Sequence, residues 1–236
     1  MYEILFDKNN IDILCIQAKN AFSRYDILKA YDICQKAIKY DPLYFDILPI
    51  YCACLLDLGY VGEMYYCAHT LVEGYPNHAL SWFAIGTYYF LIKKYEIARK
   101  FYQKALVFDK NFLFAWVGLA HSFAIQDESD QAMSVYRSVS RLFPGCHSAH
   151  LYMGMEYLRL NNKTALLALQ SAKEINPTDP LVFNEIGSFY YKVKDYKEAK
   201  NYFLKALDLS EDAIGWVVEI ILGNLAHCYR KLKDYK

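Results

Sequence analysis

The stretch ALSWFAIGTYYFLIKKYEIARKFYQKALVFDKNF, running from Ala79 to Phe112, decides the fold. Trp82 stands at its fourth position, Ile85-Gly86 at the seventh and eighth, and Tyr89 at the eleventh. Ala98, Tyr102 and Ala105 follow at the twentieth, twenty-fourth and twenty-seventh. Small residues at eight, twenty and twenty-seven let two antiparallel helices approach, and the large ones fill the spaces left.

The pattern recurs outward in both directions. Leu113 to Cys146 repeats it with Trp116, Leu119-Ala120, Phe123, Ala132, Tyr136, Val139 and Pro144. From Pro180 it returns as Phe183, Ile186-Gly187, Tyr190, Ala199, Phe203 and Ala206. Between them Met153-Gly154, Tyr157, Ala165, Leu169, Ala172 and Pro177 form a unit one residue short, a deletion expected in its inter-helix turn. Pro42 and Pro76 are 34 residues apart, Pro76 and Pro144 are 68 apart with Lys110 at the skipped position, and Pro144 and Pro177 are 33 apart. A proline there ends the second helix of each unit. A period of 34 residues is the signature of the tetratricopeptide repeat, a helix-turn-helix unit.

The expected fold is therefore all-α, a tetratricopeptide-repeat α-solenoid in which antiparallel helix pairs wind into a right-handed superhelix. The expected organisation is a single array with an N-terminal extension, 1–10, and units 11–44, 45–78, 79–112, 113–146, 147–179 and 180–213. Two early units are weaker. The first offers Leu14, Ala18, Ala30, Cys34, Ala37 and Pro42, and the second places Met64 where a small residue is usual. After Glu211 the period slips through Asp212-Ala213-Ile214-Gly215-Trp216, then resumes with Leu222, Leu225-Ala226 and Tyr229. A half unit, 219–236, with its turn at Lys233-Asp234-Tyr235, leads to the expectation that the chain is a central piece of a longer array.

Composition narrows the function. Lys plus Arg and Asp plus Glu both number 26, so no basic excess points to nucleic acid or an anionic membrane. The longest apolar run, Trp82 to Ile92, is too short to span a bilayer, and the start lacks a signal peptide's basic region and cleavage site. The seven cysteines lack the paired spacing of a zinc or redox site, as expected of free thiols in a reducing compartment. Cys146, His147 and His150 lie close in sequence but lack a fourth metal ligand, which favours ordinary packing. His121 and His227 could each hydrogen-bond a bound peptide or serve as structural histidines, and Asp127-Glu128-Ser129-Asp130 reads as a solvated acidic loop. Phosphate loops, nucleophile elbows and zinc-protease helices are missing, so no catalysis and no cofactor or metal are expected.

Certain stretches carry more than the repeat demands. They are Tyr75-Pro76, Ser81 to Tyr89, Ala115-Trp116, His121-Ser122-Phe123-Ala124, Asp130-Gln131-Ala132-Met133 and Gly145-Cys146-His147. Leu151 to Tyr157, Asn161-Asn162, Asn224-Leu225-Ala226-His227 and Arg230-Lys231-Leu232 join them. Together they resemble subunit 6 of the anaphase-promoting complex (cyclosome), a repeat scaffold of a multi-subunit ubiquitin ligase. The resemblance is strongest from Tyr75 to Asn162 and weak before it. It implies a non-catalytic subunit of nucleus and cytoplasm, working with the other ligase subunits in cell-cycle-linked ubiquitination. It also implies homodimerisation through N-terminal repeats that this piece lacks, so the piece itself is expected to be monomeric. Later repeats would enclose the N-terminal segment of a small partner subunit.

In such an array the first helix of each unit lines the concave groove with positions two, five, nine and twelve. Here these are Leu80, Phe83, Thr87 and Phe90, then Phe114, Val117, His121 and Ala124. They continue as Ser148, Leu151, Met155 and Leu158, then Leu181, Asn184, Ser188 and Tyr191. Phe83, Thr87, Val117 and His121 replace the Lys and Asn of a chaperone adaptor's carboxylate clamp, so a hydrophobic peptide is the expected ligand, although many of these side chains could instead pack against the neighbouring unit. Two other readings remain: an adaptor of another assembly, and a regulatory domain of a larger enzyme.

Overall fold

The computed structural model describes residues 10–211, 213 and 215–233. Most of the expected extension, part of the slip at 212–214 and residues 234–236 of the final turn lie outside the described residues. Every regular element among those described is an α-helix. In chain order they are α1 (Ile11–Ser23), α2 (Ile27–Tyr40), α3 (Leu48–Leu58), α4 (Val61–Gly74), α5 (Ala79–Leu91), α6 (Tyr95–Phe108) and α7 (Leu113–Ala124). Then come α8 (Ser129–Leu142), α9 (His147–Arg159), α10 (Ala165–Ile175), α11 (Pro180–Lys192), α12 (Tyr196–Asp208) and α13 (Gly215–Leu232). None of the described helices is long and apolar enough to cross a membrane. The chain forms two compact bodies, Met1–Glu128 and Ser129–Lys236, so the division falls inside the 113–146 unit.

Local signals start and stop these helices. Asp26 and Asp195 cap α2 and α12, accepting from the amides of Lys29 at 3.3 Å and Glu198 at 3.2 Å. Asp179 caps α11 through the amide of Leu181 at 2.8 Å, and Pro180 fills the first helical position, where a missing N–H is harmless. The turns inside the pairs share one device. Tyr25, Gly59, Lys93, Asp127, Asn161 and Lys194 all have φ between 54° and 72°, at spacings of 34 residues and then 33. The next amide reaches back five residues each time, as from Lys94 to the Tyr89 carbonyl and from Asp195 to the Tyr190 carbonyl, both at 2.9 Å. That closure satisfies carbonyls the helix end leaves free.

The packing explains the repeat chemically. A Cβ on Gly86 would come within 2.7 Å of the Tyr102 ring, and one on Gly187 within 2.7 Å of the Phe203 ring. Leu169 presses on Gly154 in the same way. The Tyr102 ring also meets Gly118 of α7, so it is gripped from two helices. A second, aromatic layer repeats beside it. Trp82 and Tyr89 both stack on Phe101, with Lys104 over Trp82 at 3.2 Å. Phe183 and Tyr190 both stack on Tyr202, with Lys205 over Phe183 at 4.6 Å. Trp82 and Trp116 also donate to the preceding repeat junction, at the carbonyls of Pro76 (2.7 Å) and Lys110 (2.8 Å).

Two departures from expectation have physical causes. α3 and α4 approach less closely than α1–α2 or α5–α6, because Cys52 and the fully buried Met64 stand where those pairs carry smaller residues. The short fifth unit keeps its turn, with Asn161 at φ 54°, and loses the first turn of its second helix instead. There Asn162 Oδ1 accepts from the Thr164 amide and hydroxyl at 2.9 and 2.8 Å, replacing the missing helical bonds.

Candidate protein-interaction face

In each body the first helices of successive pairs touch one another: α1–α3, α3–α5 and α5–α7, then α9–α11 and α11–α13. The second helices show no comparable mutual packing among the described residues. Each body therefore has an inner layer made of first helices, and that layer holds the sequence-derived site residues.

In Met1–Glu128 the layer is aromatic. Phe83 is 5% exposed, its ring 5.4 Å from Phe112, 5.9 Å from Tyr102 and 6.0 Å from Phe114. Leu80 is buried, and so is Thr87, whose hydroxyl donates to the Phe83 carbonyl at 3.0 Å. Phe90, Phe114, Val117, His121 and Ala124 remain half-buried and carry the accessible surface. Desolvation pushes His121 down to about 4, so its imidazole is neutral at pH 7. Asp57, at the end of α3, is exposed on one side, yet the protein around it pushes its carboxyl up to about 6.

In Ser129–Lys236 the layer mixes apolar and polar side chains. Leu151 and Leu158 are interior, as are Leu181 and Asn184, while Met155, Ser148, Ser188 and Tyr191 keep accessible surface. Asn184 Nδ2 donates to Glu185 Oε1 at 2.9 Å, and Asn224 Nδ2 of α13 donates to Asn184 Oδ1 at 3.0 Å. Desolvation pushes Glu185 up to about 7, against smaller lowering effects of the Asn184 bond and the Lys192 charge. The Lys192 ammonium donates to the Leu158 carbonyl and to Asn161 Oδ1 at 3.2 Å.

Of the sixteen groove positions, Leu80, Phe83, Thr87, Leu151, Leu158, Leu181 and Asn184 are thus interior. First helices pack so closely that position five of α5, α9 and α11 is consumed in helix–helix contact. The repeat pattern does not mark Glu185 or Lys192, and Asn224 stands out only within a family-like stretch. The signal for the first was an Asn-Glu pair set between Phe183 and Ile186 in an apolar helix.

The other candidates have structural partners. His147 Nε2 lies 2.9 Å from Oδ2 of the buried Asp179, and Cys146 Sγ lies 3.1 Å from Ser148 Oγ. Burial lowers His150 below the usual imidazole range. His227 is exposed, with its Nδ1 2.9 Å from Arg230 Nη2. Glu128 departs from the solvated loop expected of it: Arg99 bonds it at 2.8 Å and lies 4.6 Å from the Phe123 ring centroid, drawing the turn onto α6 and α7.

Comparison with known proteins agrees with the helical-repeat fold. The sequence profile of the tetratricopeptide repeat matches residues 79–112 and 182–212. The fold and the paired-helix packing define a tetratricopeptide-repeat protein, all-α and built as a solenoid of such units. Over 95% of its length the chain is 42% identical to anaphase-promoting complex subunit 6 of Arabidopsis thaliana. Over 97% it is 36% identical to the cell division cycle protein 16 homolog of Homo sapiens. It covers 42% and 38% of those proteins, less than half of each. A crystal structure of the APC/C hetero-tetramer Cut9–Hcn1 superposes with a TM-score of 0.90 at 35% identity, covering 97% of this chain and 44% of that one. Across this segment the chain is similar, in sequence and in structure, to subunit 6 of the anaphase-promoting complex.

Proposed function

We propose that the chain is a non-catalytic scaffold segment of the anaphase-promoting complex, binding the N-terminal segment of a small partner subunit against its first-helix faces. Through the other ligase subunits it serves cell-cycle-linked ubiquitination, in nucleus and cytoplasm, without cofactor or metal. The segment alone is monomeric, and the longer protein dimerises through repeats beyond it. The observation that carries this reading is the 0.90 TM-score to a complex containing Hcn1, together with 35% identity along 97% of the chain.

The accessible residues Phe90, Phe114, Val117, His121, Met155, Ser188 and Tyr191 supply the contact surface, and the seven buried positions hold it in place. A test places one charge on each face, Val117→Asp with Met155→Asp. Recovery of the small partner and other ligase subunits from cell extract should drop about tenfold or more, while circular dichroism stays that of the parent. Undiminished recovery would remove the first-helix faces from the binding account. Recovery of chaperones in place of ligase subunits would favour a different adaptor.

A further inference from the structure

Among the described residues, Glu185 is a carboxylate without a cation of its own. It stands on α11 in the first-helix layer, half-buried, with Asn184 donating to one oxygen at 2.9 Å. Asn184 is itself fully buried and receives a hydrogen bond from Asn224 at 3.0 Å. The two amides thus form a short relay directed at the carboxylate. Lys192 is the basic group that influences Glu185 electrostatically, yet its ammonium is committed to the Leu158 carbonyl and Asn161.

The second carboxylate oxygen, Oε2, has no hydrogen bond among the described residues, and no buried side-chain oxygen among them lacks a partner. Oε2 therefore reaches solvent. The same reasoning applies to Oδ1 of Asn224, which is half-buried and whose described bond uses only its nitrogen. Two open acceptors, one of them anionic, are bridged by a buried amide.

We infer that Glu185, backed by Asn184 and Asn224, seats a cationic side chain, an ammonium or guanidinium group carried by the segment that the scaffold binds. The inference rests on the scaffold reading for its ligand and on the relay for its chemistry. A neutral amide donor would leave the desolvated charge uncompensated, whereas a cation both donates and neutralises. Burial raises the Glu185 carboxyl to about 7, and a cation seated on Oε2 would draw it back down.

The test has two arms. In the first, the full chain carrying carboxyl-labelled glutamate is titrated with Nα-acetyl-arginine, Nα-acetyl-lysine and Nα-acetyl-norleucine N-methylamides while carbon NMR follows Glu185. The two basic probes should shift the Glu185 carboxyl resonance saturably and lower its titration midpoint, and norleucine should do neither. An equal response to norleucine, or no response to the basic probes, overturns the seat. In the second arm, calorimetry compares binding of the small partner's N-terminal peptide to the parent chain and to Glu185→Gln. Loss of a charge-assisted bond should weaken binding about tenfold, with helicity unchanged. Replacing the cationic residue of the peptide by norleucine should weaken binding to the parent and have little effect on the variant. Equal affinity for parent and Glu185→Gln overturns the seat. A peptide that fails to bind the parent at all sinks the scaffold reading instead, and the probe arm still decides the seat.

Discussion

The two bodies share a framework and differ in the face it presents. In Met1–Glu128, Tyr102 is pressed onto Gly86 while Trp82 and Tyr89 flank Phe101; in Ser129–Lys236, Phe203 is pressed onto Gly187 while Phe183 and Tyr190 flank Tyr202. The inner layers then diverge, one carrying Phe90, Phe114 and Val117 and the other Asn184, Glu185 and Asn224. Positions that hold a helix pair together must keep their size, because the interior is packed to crystal density. Positions that look inward from the first helices need only fit their neighbour or their ligand. The framework is thus common property, and the face is where one repeat comes to differ from the next.

The most forceful way to break this comparison is to remove the shared large residue. Tyr102→Ala and Phe203→Ala should each cost about 3–5 kcal/mol, since a ring against a glycine leaves a void that backbone cannot fill. Tyr102 should stand at the upper end, because it touches two glycines and its hydroxyl lies 3.4 Å from the Thr87 hydroxyl. Urea unfolding followed by circular dichroism measures both. Losses below about 1 kcal/mol at either site would mean that the two frameworks are not equivalent.

A somewhat smaller effect should separate the faces by their response to pH. Glu185 titrates near 7 in the folded chain against an ordinary 4.5. Below the ordinary value both states hold the proton and the residue is neutral to stability. Between the two values the folded state binds more protons, so stability falls as pH rises, and above 7 the full penalty applies. Glu185→Gln should therefore stabilise Ser129–Lys236 at pH 8, by up to about 3 kcal/mol, and leave it unchanged at pH 4. His121 has the opposite limb. Its folded value near 4 lies below the ordinary 6.5, so Met1–Glu128 loses stability as pH falls through that window, and His121→Gln should relieve the loss. Asp57, raised to about 6, partly offsets it because its own penalty fades toward acid. Amide hydrogen exchange, resolved by helix at pH 5 and pH 8, reads both limbs. Identical profiles for parent and variants would remove the electrostatic contrast between the faces.

What could be read in advance follows the same division. The 34-residue rhythm of Trp82, Gly86, Ala98, Tyr102 and Ala105 recurs because sterics demand it, so the fold was legible from one unit and its echoes. The accessible part of the face was not. Leu80, Phe83 and Leu151 sit at groove positions by spacing alone, but spacing does not say how closely the next first helix approaches, and that approach buries them. Glu185 was hidden for a related reason: its importance lies in the amides of Asn184 and Asn224, 40 residues apart, which only the packing of α11 on α13 brings together. The aromatic layer at Phe101 and Tyr202 was visible in the letters but not singled out. The turns left no trace, since Tyr, Gly, Lys, Asp and Asn all occupy the same left-handed position.

Those turns supply the finest test, because they should behave alike where the faces do not. A non-glycine residue in the left-handed region costs roughly 1–2 kcal/mol from the clash of its Cβ with the backbone. Glycine avoids that clash but gives up about 0.5–1 kcal/mol in unfolded-chain entropy. Lys93, with φ 61°, and Lys194, with φ 67°, are closed by the same five-residue return bond, to Tyr89 and Tyr190. Lys93→Gly and Lys194→Gly should thus each raise stability by about 0.5–1 kcal/mol, by equal amounts within error and independently of pH. Gly59→Lys, at φ 72° with open space around its Cβ, should lose a similar amount, since only the backbone conformation opposes it. Equal and opposite changes at the three sites in urea titrations would show that the turns belong to the shared framework. A gain at Lys93 without one at Lys194 would mean instead that the second body's inner face reaches its turn, through Lys192 and the bonds it makes to Leu158 and Asn161.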